Sequence, residues 1–564
     1  MEDIKNNSSV DVESIPSENL TLALNEENLH DQAFETKPVS YIRDCFNRFC
    51  KNKSSIVASV IILIIALYAI IVPFASSKGY RAQSYSEFSS GFKDARFQYV
   101  TPYCSWFKGT GFWDGTKTES VSEAVYTTYK NDDSNHEVAK LLSTSSERTG
   151  SSITTTYNIR RDTYAIGNKI VYLSGDEYKK LLDDQESKGF LKYTSTDKST
   201  YTVTSDSILK PLVGYTSYID EYVEQLTNEG VSDSIVSEVK DKLTTYYQNN
   251  SNVWYKMVAY QKKDGSYNSN RYVPLTENGK VVSLYQKDSN GNYVYAEKNS
   301  GQQYELRVDY FDYFTYKYNM TPYMIFGANG QGQDIFSRLA IGTLFSLALG
   351  IGVSLVNFII GLVWGAISGY YGGTTDLIME RITDIISNVP SLIILTICSI
   401  QFTNNLELKG AIGSAGITIL AILIAFIYNG WVGVASTTRM QFYRFKGQEY
   451  VLASRTLGAR DSRLIFKHIL PNAVGTLVTS TVLMIPSVIF SESTLSYLGI
   501  IDLTSSGISS IGTLLSEGQS AGLEINPHVL LFPAVIISLL MICFNLFGNG
   551  LRDAFNTSLK GSED

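Results

Sequence analysis

Histidine is scarce in this chain. His30, His136, His468 and His528 are the whole complement in 564 residues, too scattered for a His-rich metal centre. The five cysteines form no C-x-x-C pair, which leaves zinc ligation and dithiol redox chemistry without a ligand pattern. Cys104 stands alone in the polar middle of the chain, so no disulfide staples that region, and the expected state is a buried free thiol. Basic excess is missing too. A net charge of -8 excludes a nucleic-acid binder, which needs a basic face. The chain carries no G-x-x-x-x-G-K-[ST], no H-E-x-x-H and no G-x-S-x-G. No cofactor is expected here, and any ATP-driven step has to take its nucleotide from another subunit. The first 39 residues are acidic and poor in aromatics, with no basic start followed by an apolar run, so they read as a disordered tail and not as a signal peptide.

What the chain does have is long apolar runs. Its mean hydropathy of -0.03 averages such runs with one large polar block. Residues 55–74 form an uncharged stretch long enough to cross ~30 Å of hydrocarbon at ~1.5 Å per residue. Arg43, Arg48, Lys51 and Lys53 precede it and place its N-terminus in the cytoplasm. Residues 76–319 are rich in Tyr, Ser and Thr and lack any such run. Helical stretches such as 218–248, strand-like stretches such as 152–171 and 280–285, and turn signals at Asn278-Gly279 and Asn290-Gly291 give an α+β domain. The first span delivers that domain to the extracytoplasmic side. Five further spans are expected at 339–370, 386–400, 411–435, 473–495 and 527–548. The third is marginal in length, and Pro390 near its start can open or kink it. A second charge count agrees with this topology. The segment 436–471 carries Arg439, Arg444, Lys446, Arg455, Arg460, Arg463 and Lys467, whereas the outer segments 401–410 and 499–526 carry Lys409 alone.

Several motifs invite a functional reading and a plainer one. Gly361, Gly365 and Gly369 share a helix face, where missing side chains let another helix approach. Packing within the bundle is the simpler expectation and a subunit interface the alternative. Asp376, Glu380 and Asp384 share a face beside Arg381, which suits a helix end with local ion pairing better than a carboxylate active site or a cation site. The Gly-rich segment 326–339 lacks the Gly-Lys-Ser/Thr of a phosphate loop, and Asp334 in it reads as a helix N-cap. The aromatic run 308–319 is either a sugar- or peptide-binding surface or, more simply, a core strand or membrane-interface belt. Glu492 in an apolar span has to face a partner or a water-filled path, or lie near the outer interface, the reading favoured here.

The basic stretch 449–472, EYVLASRTLGARDSRLIFKHILPN, lies between two apolar runs. Residues 449–457 suit a helix that Gly458 ends in the left-handed conformation. Asp461 is placed to cap a second helix, and Pro471 to end it. A basic helix–Gly–helix–Leu-Pro loop of this kind resembles the "EAA" loop of ABC-importer permeases. Together with FGANGQGQDIFSRL, AISGYYGGTTDLIMERITDIISNVPSLIIL, SESTLSYLGI and FNLFGNGLRDAFN, it resembles the C-type permease subunit of oligopeptide/dipeptide ABC importers.

The resemblance implies an α-helical polytopic membrane protein with six transmembrane helices of the type I importer kind, carrying a large inserted extracytoplasmic α+β domain. Its parts are a cytoplasmic tail (1–39), a lead and first span (40–75), the insertion (76–319), a five-helix permease core (320–557) with a coupling loop at 437–472, and a cytoplasmic tail (558–564). The implied partners are a homologous second permease, two cytoplasmic ATPases that bind ATP and Mg, an extracytoplasmic substrate-binding protein and the lipid bilayer of the cell membrane. The implied role is transport, not catalysis. Residues expected to meet the ATPase are Glu449, Tyr450, Ala453, Ser454, Gly458, Leu470 and Pro471. Leu452 and Ser454 depart from the usual Glu-Ala-Ala pattern, and Gln333 stands where an Arg is usual. Nickel or another small solute is an alternative cargo, and a membrane-anchored extracellular binding protein or enzyme is a rival class. The insertion either helps dock the substrate receptor, forms a lid over the pathway, or is purely structural.

Overall fold

A computed structural model describes residues 41–75, 95–130, 134–149, 152–193, 200–210, parts of 223–300, and 303–555 except 502, 505 and 506. The two terminal tails and both Asn-Gly turn signals lie outside the described residues.

The chain enters through an amphipathic helix, α1 (Tyr41–Lys51), and turns at Asn52 into α2 (Lys53–Ala75). The Asn52 side chain accepts hydrogen bonds from the Ser54 hydroxyl and the Ser55 amide, which starts the second helix. Ile56, Val57, Leu63, Ile64 and Ile71 are exposed along α2. An apolar face left open on a helix of this length suits lipid and not water.

Between residues 95 and 318 the described residues form five small antiparallel sheets and several helices, and two of the sheets carry most of the order. Strands β1 (Thr116–Ser122), β2 (Ala139–Thr149) and β3 (Ser152–Asp162) form an antiparallel sheet with β3 in the middle. Its register runs from Thr116 opposite Asp162 to Ser122 opposite Thr156. Strand β4 (Asn168–Ser174) pairs with β5 (Gln303–Asp309), so residues far apart in sequence share one sheet. Helix α3 (Gly175–Ser187) starts on a capping box between Ser174 and Glu177. Helix α4 (Tyr310–Tyr318) starts on Asp309, whose carboxylate accepts from the Asp312 amide. Leu181, Leu209, Leu306, Val308, Phe97 and Phe314 fill the space between these pieces. The aromatic run therefore splits into a strand end and a helix, and it buries Tyr310, Phe311, Tyr313 and Phe314: the core reading holds over a ligand surface. Cys104 is free but only half-buried, because its loop stands at the edge of this core. The expected helix 218–248 is described as Asp233–Asn249, and only Lys280–Val281 of the expected strand 280–285 falls in a described strand.

The remainder is helical: α5 (Ile335–Tyr371), α6 (Gly373–Ser387), α7 (Ser391–Asn404), α8 (Leu406–Lys446), α9 (Glu449–Thr456), α10 (Leu470–Tyr497), α11 (Ile511–Ser520) and α12 (Pro527–Phe555). Asp334 caps α5 as expected, accepting from the amides of Phe336 and Ser337. Among the described residues α2, α5, α8, α12 and the helix ending at Tyr497 are long and apolar enough to cross a membrane. The expected span 386–400 is not one straight helix. It belongs to a pair, α6 and α7, bent by 68° at residues 388–390. Pro390 has no N–H and disfavours helix in the residue before it, so the break falls there. Helix α8 contains a second interruption: Gly413 leaves the helix at φ 71° and ψ 173°, a positive-φ conformation open to glycine, and residues 414–446 run on without a break.

Candidate functional site

Helices α5 and α8 cross at the glycine face. A Cβ on Gly361 would meet Val434 and the Trp431 carbonyl at 2.6 and 2.7 Å. One on Gly365 would overlap the Ala435 carbonyl oxygen, and one on Gly369 would lie 2.7 Å from the Arg439 carbonyl and Phe442. The three glycines are thus spent on contact within the chain, the simpler of the two expectations, because only a bare backbone lets two helices approach this closely.

Just past the glycines, polar groups fasten α6 to α8. Arg439 of α8 grips Asp376 of α6 with both Nε and Nη2, at 2.6 and 2.7 Å, and its Nη2 also lies 2.6 Å from Glu380. Tyr443 donates to Asp376 at 2.7 Å, and Ser368 bonds the same carboxylate. The expectation of local pairing along one helix is therefore corrected. Arg381 and Asp384 do pair locally at 3.3 Å, but Asp376 is buried and satisfied from another helix. A bidentate guanidinium–carboxylate pair supports such burial because both groups keep their hydrogen bonds.

The basic stretch then folds into a bent hairpin on the ends of α5 and α8. Val451, Leu464 and Ile469 pack with Tyr370 and Phe442 as a small apolar core. Helix α9 ends as expected. Gly458 has φ 81°, its amide donates to the Arg455 carbonyl at 3.0 Å, and the Ala459 amide donates to the Ser454 carbonyl at 3.1 Å. That pair of bonds is the Schellman closure that a left-handed glycine allows. Two expectations fail. Asp461 caps nothing, because its carboxylate accepts instead from the Tyr370 hydroxyl at 2.5 Å, and Arg460 is the N-cap residue. Pro471 does not end the second helix. Residues Leu464–Ile469 form a π-helical turn that leads straight into α10, with Pro471 in its first turn. A proline fits there because the first amides of a helix need no partner within it.

Tyr370 is the residue that sequence reasoning missed. It joins the last turn of α5 to the hairpin through Asp461, and Arg455 donates to its hydroxyl at 3.4 Å. Lys446 adds a second tie, donating to the Gly369 carbonyl at 2.9 Å. Among the residues singled out from the sequence, Glu449, Tyr450, Ala453, Gly458 and Pro471 are exposed, whereas Ser454 and Leu470 are half-buried. Asn472 donates to the Tyr450 hydroxyl at 3.1 Å. Partial burial pushes the Tyr450 phenol above its ordinary range, and the bond from Asn472 opposes that shift. Leu452, Leu457 and Phe466 are exposed as well, Leu457 at 90%. Sequence reading passed over Leu457 and Phe466. The available signal was an excess of apolar residues in a charged loop over what its small core can hold. The hairpin is thus held rigidly from behind and presents Tyr450, Leu452, Leu457 and Phe466 outward, an arrangement suited to docking and not to catalysis.

Glu492 lies on the opposite half of the bundle. It is fully buried, with bonds from Ser346 at 3.2 Å and Ser496 at 3.0 Å, so it faces partners within the protein, five residues before its helix ends at Tyr497. It ties α10 to α5 near the start of α11, where Ser346 also accepts from the Ile511 amide at 3.2 Å.

Comparison with known proteins gives the chain relatives. A family model described as the binding-protein-dependent transport system inner membrane component covers residues 361–561, and one described as the N-terminal TM domain of oligopeptide transport permease C covers residues 40–92. The oligopeptide transport system permease protein OppC of Bacillus subtilis (strain 168) is 41% identical over 235 residues, 42% of this chain and 72% of that protein. The dipeptide transport system permease protein DppC of the same organism is 35% identical, over 42% of this chain and 69% of its own length. OppC of Escherichia coli (strain K12) is 35% identical, over 41% and 71%. A chain of the inward-facing MetNI methionine ABC transporter matches at 17% identity and a TM-score of 0.31, over 39% of this chain and 96% of its own. On the sequence matches, this chain belongs to the family of binding-protein-dependent transport inner membrane components, a multi-pass membrane permease akin to the OppC and DppC proteins.

Proposed function

We propose that this chain is the permease subunit of an ATP-driven importer of oligopeptides or dipeptides, and that the hairpin 449–472 couples it to a separate ATPase. Supporting the cargo are the relatives named above, which are oligopeptide and dipeptide permeases and not carriers of nickel or another small solute. The hairpin carries the coupling assignment, with its buried side anchored by Tyr370 and its exposed apolar side free. No nucleotide motif occurs in the chain, so that exposed side has an ATPase of another subunit as its natural occupant.

Counting α6 and α7 as one broken span gives six crossings, and the basic residues around α1 and the hairpin put both on the cytoplasmic side. Residues 95–318 then lie outside the cell, next to a second permease and a substrate-binding protein, with ATP and Mg held elsewhere. Closure of the ATPases would move the hairpin as a unit and rock the attached helices between inward- and outward-facing states. Ala453 and Ser454 are small, which lets α9 sit close in a groove. Leu457→Glu tests the assignment. It should leave the protein inserted while the ATPase no longer co-purifies and peptide uptake stops. Normal ATPase capture and uptake would overturn it.

A further inference from the structure

The loop 104–113, CSWFKGTGFW, puts aromatic side chains where a soluble domain would not. Trp106 is 90% exposed, Phe112 64% and Phe107 38%. The loop is tightly held. The Cys104 amide donates to the Trp113 carbonyl at 2.7 Å, the Gly111 amide to Asp114 at 2.8 Å, and the Thr110 hydroxyl to the carbonyls of Phe107 and Phe112. Trp113 sits at φ 55°, in the left-handed region that bulky residues avoid. Such a loop cannot fold its rings away, so their exposure is built in.

Its place relative to the bundle tells what covers them. Phe107 and Phe112 contact Trp113, Trp113 packs 5.4 Å from Phe532 of α12, and Phe532 stacks on Phe326 at 4.0 Å. Phe326 in turn meets Phe336 of α5, which contacts Tyr68 of α2. Arg552 closes the other end of α12 and has to lie outside the hydrocarbon. Counting back ~30 Å from Arg552 at ~1.5 Å per residue reaches Phe532. The ring ladder therefore meets α12 at the far hydrocarbon boundary. Ile325, Leu523, Ile525 and Leu531 near the same helix ends are exposed apolar residues as well.

We propose that loop 104–113 is a membrane-interface anchor, with Trp106, Phe107 and Phe112 seated in the headgroup boundary of the bilayer and Lys108 beside the lipid phosphates. Aromatic rings are favoured at that depth because an apolar body and a polar edge are both satisfied. The anchor adds a lipid contact to a domain otherwise attached only through the chain and its contacts with the helix ends.

The test uses the full chain in phospholipid nanodiscs, with a photoreactive p-benzoylphenylalanine replacing Trp106 in one sample, Phe112 in a second and exposed Asp183 on α3 in a third. After illumination, mass spectrometry counts phospholipid adducts at each position. Positions 106 and 112 should give about tenfold more lipid adduct than position 183. Equal yields, or adducts to polypeptide in place of lipid at both 106 and 112, overturn the proposal and make the loop a protein-docking surface. Samples are compared only when they elute as a single species, and the two independent loop positions guard against a local misfold at either.

Discussion

The glycines at 361, 365 and 369 and the glycine at 458 occupy opposite physical situations. At the first three, any side chain meets backbone of a neighbouring helix. At Gly458 a Cβ would have nothing within 4 Å, and only the positive φ resists it. One set exists for closeness and the other for chain direction. The α5–α8 seam is accordingly part of what makes the bundle a bundle, whereas the hairpin is a rigid attachment whose turn can be altered without dismantling anything behind it.

That contrast sets the order of expected effects. Gly365→Leu should be the most damaging change. Overpacking of a well-fitted site costs roughly 1–3 kcal/mol and more where backbone must move, so the variant should fail to yield a single species on size exclusion. Normal assembly would mean that the seam is looser than described. Arg439→Met leaves Asp376 buried without its partner. The loss should be roughly 2–3 kcal/mol, below the ~3–5 of a fully buried pair because Arg439 keeps some access to water. Thermal unfolding of the purified chain measures it, and adding Asp376→Asn should restore part of the loss. Gly458→Asp places a side chain in the left-handed region at a cost of ~1–2 kcal/mol, with insertion retained and uptake lost. Uptake at the wild-type rate would erase the distinction drawn between the two sets of glycine.

Tyr370→Phe should be milder still. Losing the bond to the charged Asp461 costs on the order of 1.5 kcal/mol, with the long bond from Arg455 adding little, and faster amide exchange confined to residues 449–469 is the readout. The smallest effect concerns His136. Its pKa is raised, chiefly by the hydrogen bond to Asp312, with Asp309 and Asp162 adding to the pull and burial opposing it. A raised pKa means the pair contributes fully below the ordinary histidine value of 6.5 and fades as pH rises through the higher folded value. The unfolding midpoint of wild type minus that of His136→Gln should therefore be largest near pH 6 and shrink toward alkaline pH. It should correspond to less than about 1 kcal/mol, since both side chains are partly exposed.

Local chemistry was legible from the sequence; partners were not. Gly458, Asp334 and the apolar runs each declare themselves within a few neighbours, and the structure bears each out. Asp461 and Asp376 carry equally plain local signals, yet both were misplaced. Their partners, Tyr370 and Arg439, stand far off in the chain, and a strong tertiary bond outbid the local cap or ion pair. Pro471 misled because its rule has two branches. Proline stops a helix from inside but starts one from the first turn, and the π-helical turn that decides between them leaves no mark in composition. The exposed side of the hairpin was half-seen for the same reason. Tyr450 and Ala453 follow from the motif, but Leu457 and Phe466 emerge only once Val451, Leu464 and Ile469 are known to fill the small core.

Helix α8 is unbroken from residue 414 to Lys446, and its contact with the glycine face runs from Trp431 to Phe442, closer to the Lys446 end. Beyond that seam the helix stays packed, with Ala421, Ile422 and Ala425 sharing a core with Leu349 and Val353 of α5. The rigid stretch is therefore bound to α5 along most of its length and ends at Gly413, where a positive φ sets the short helix beyond it on its own axis.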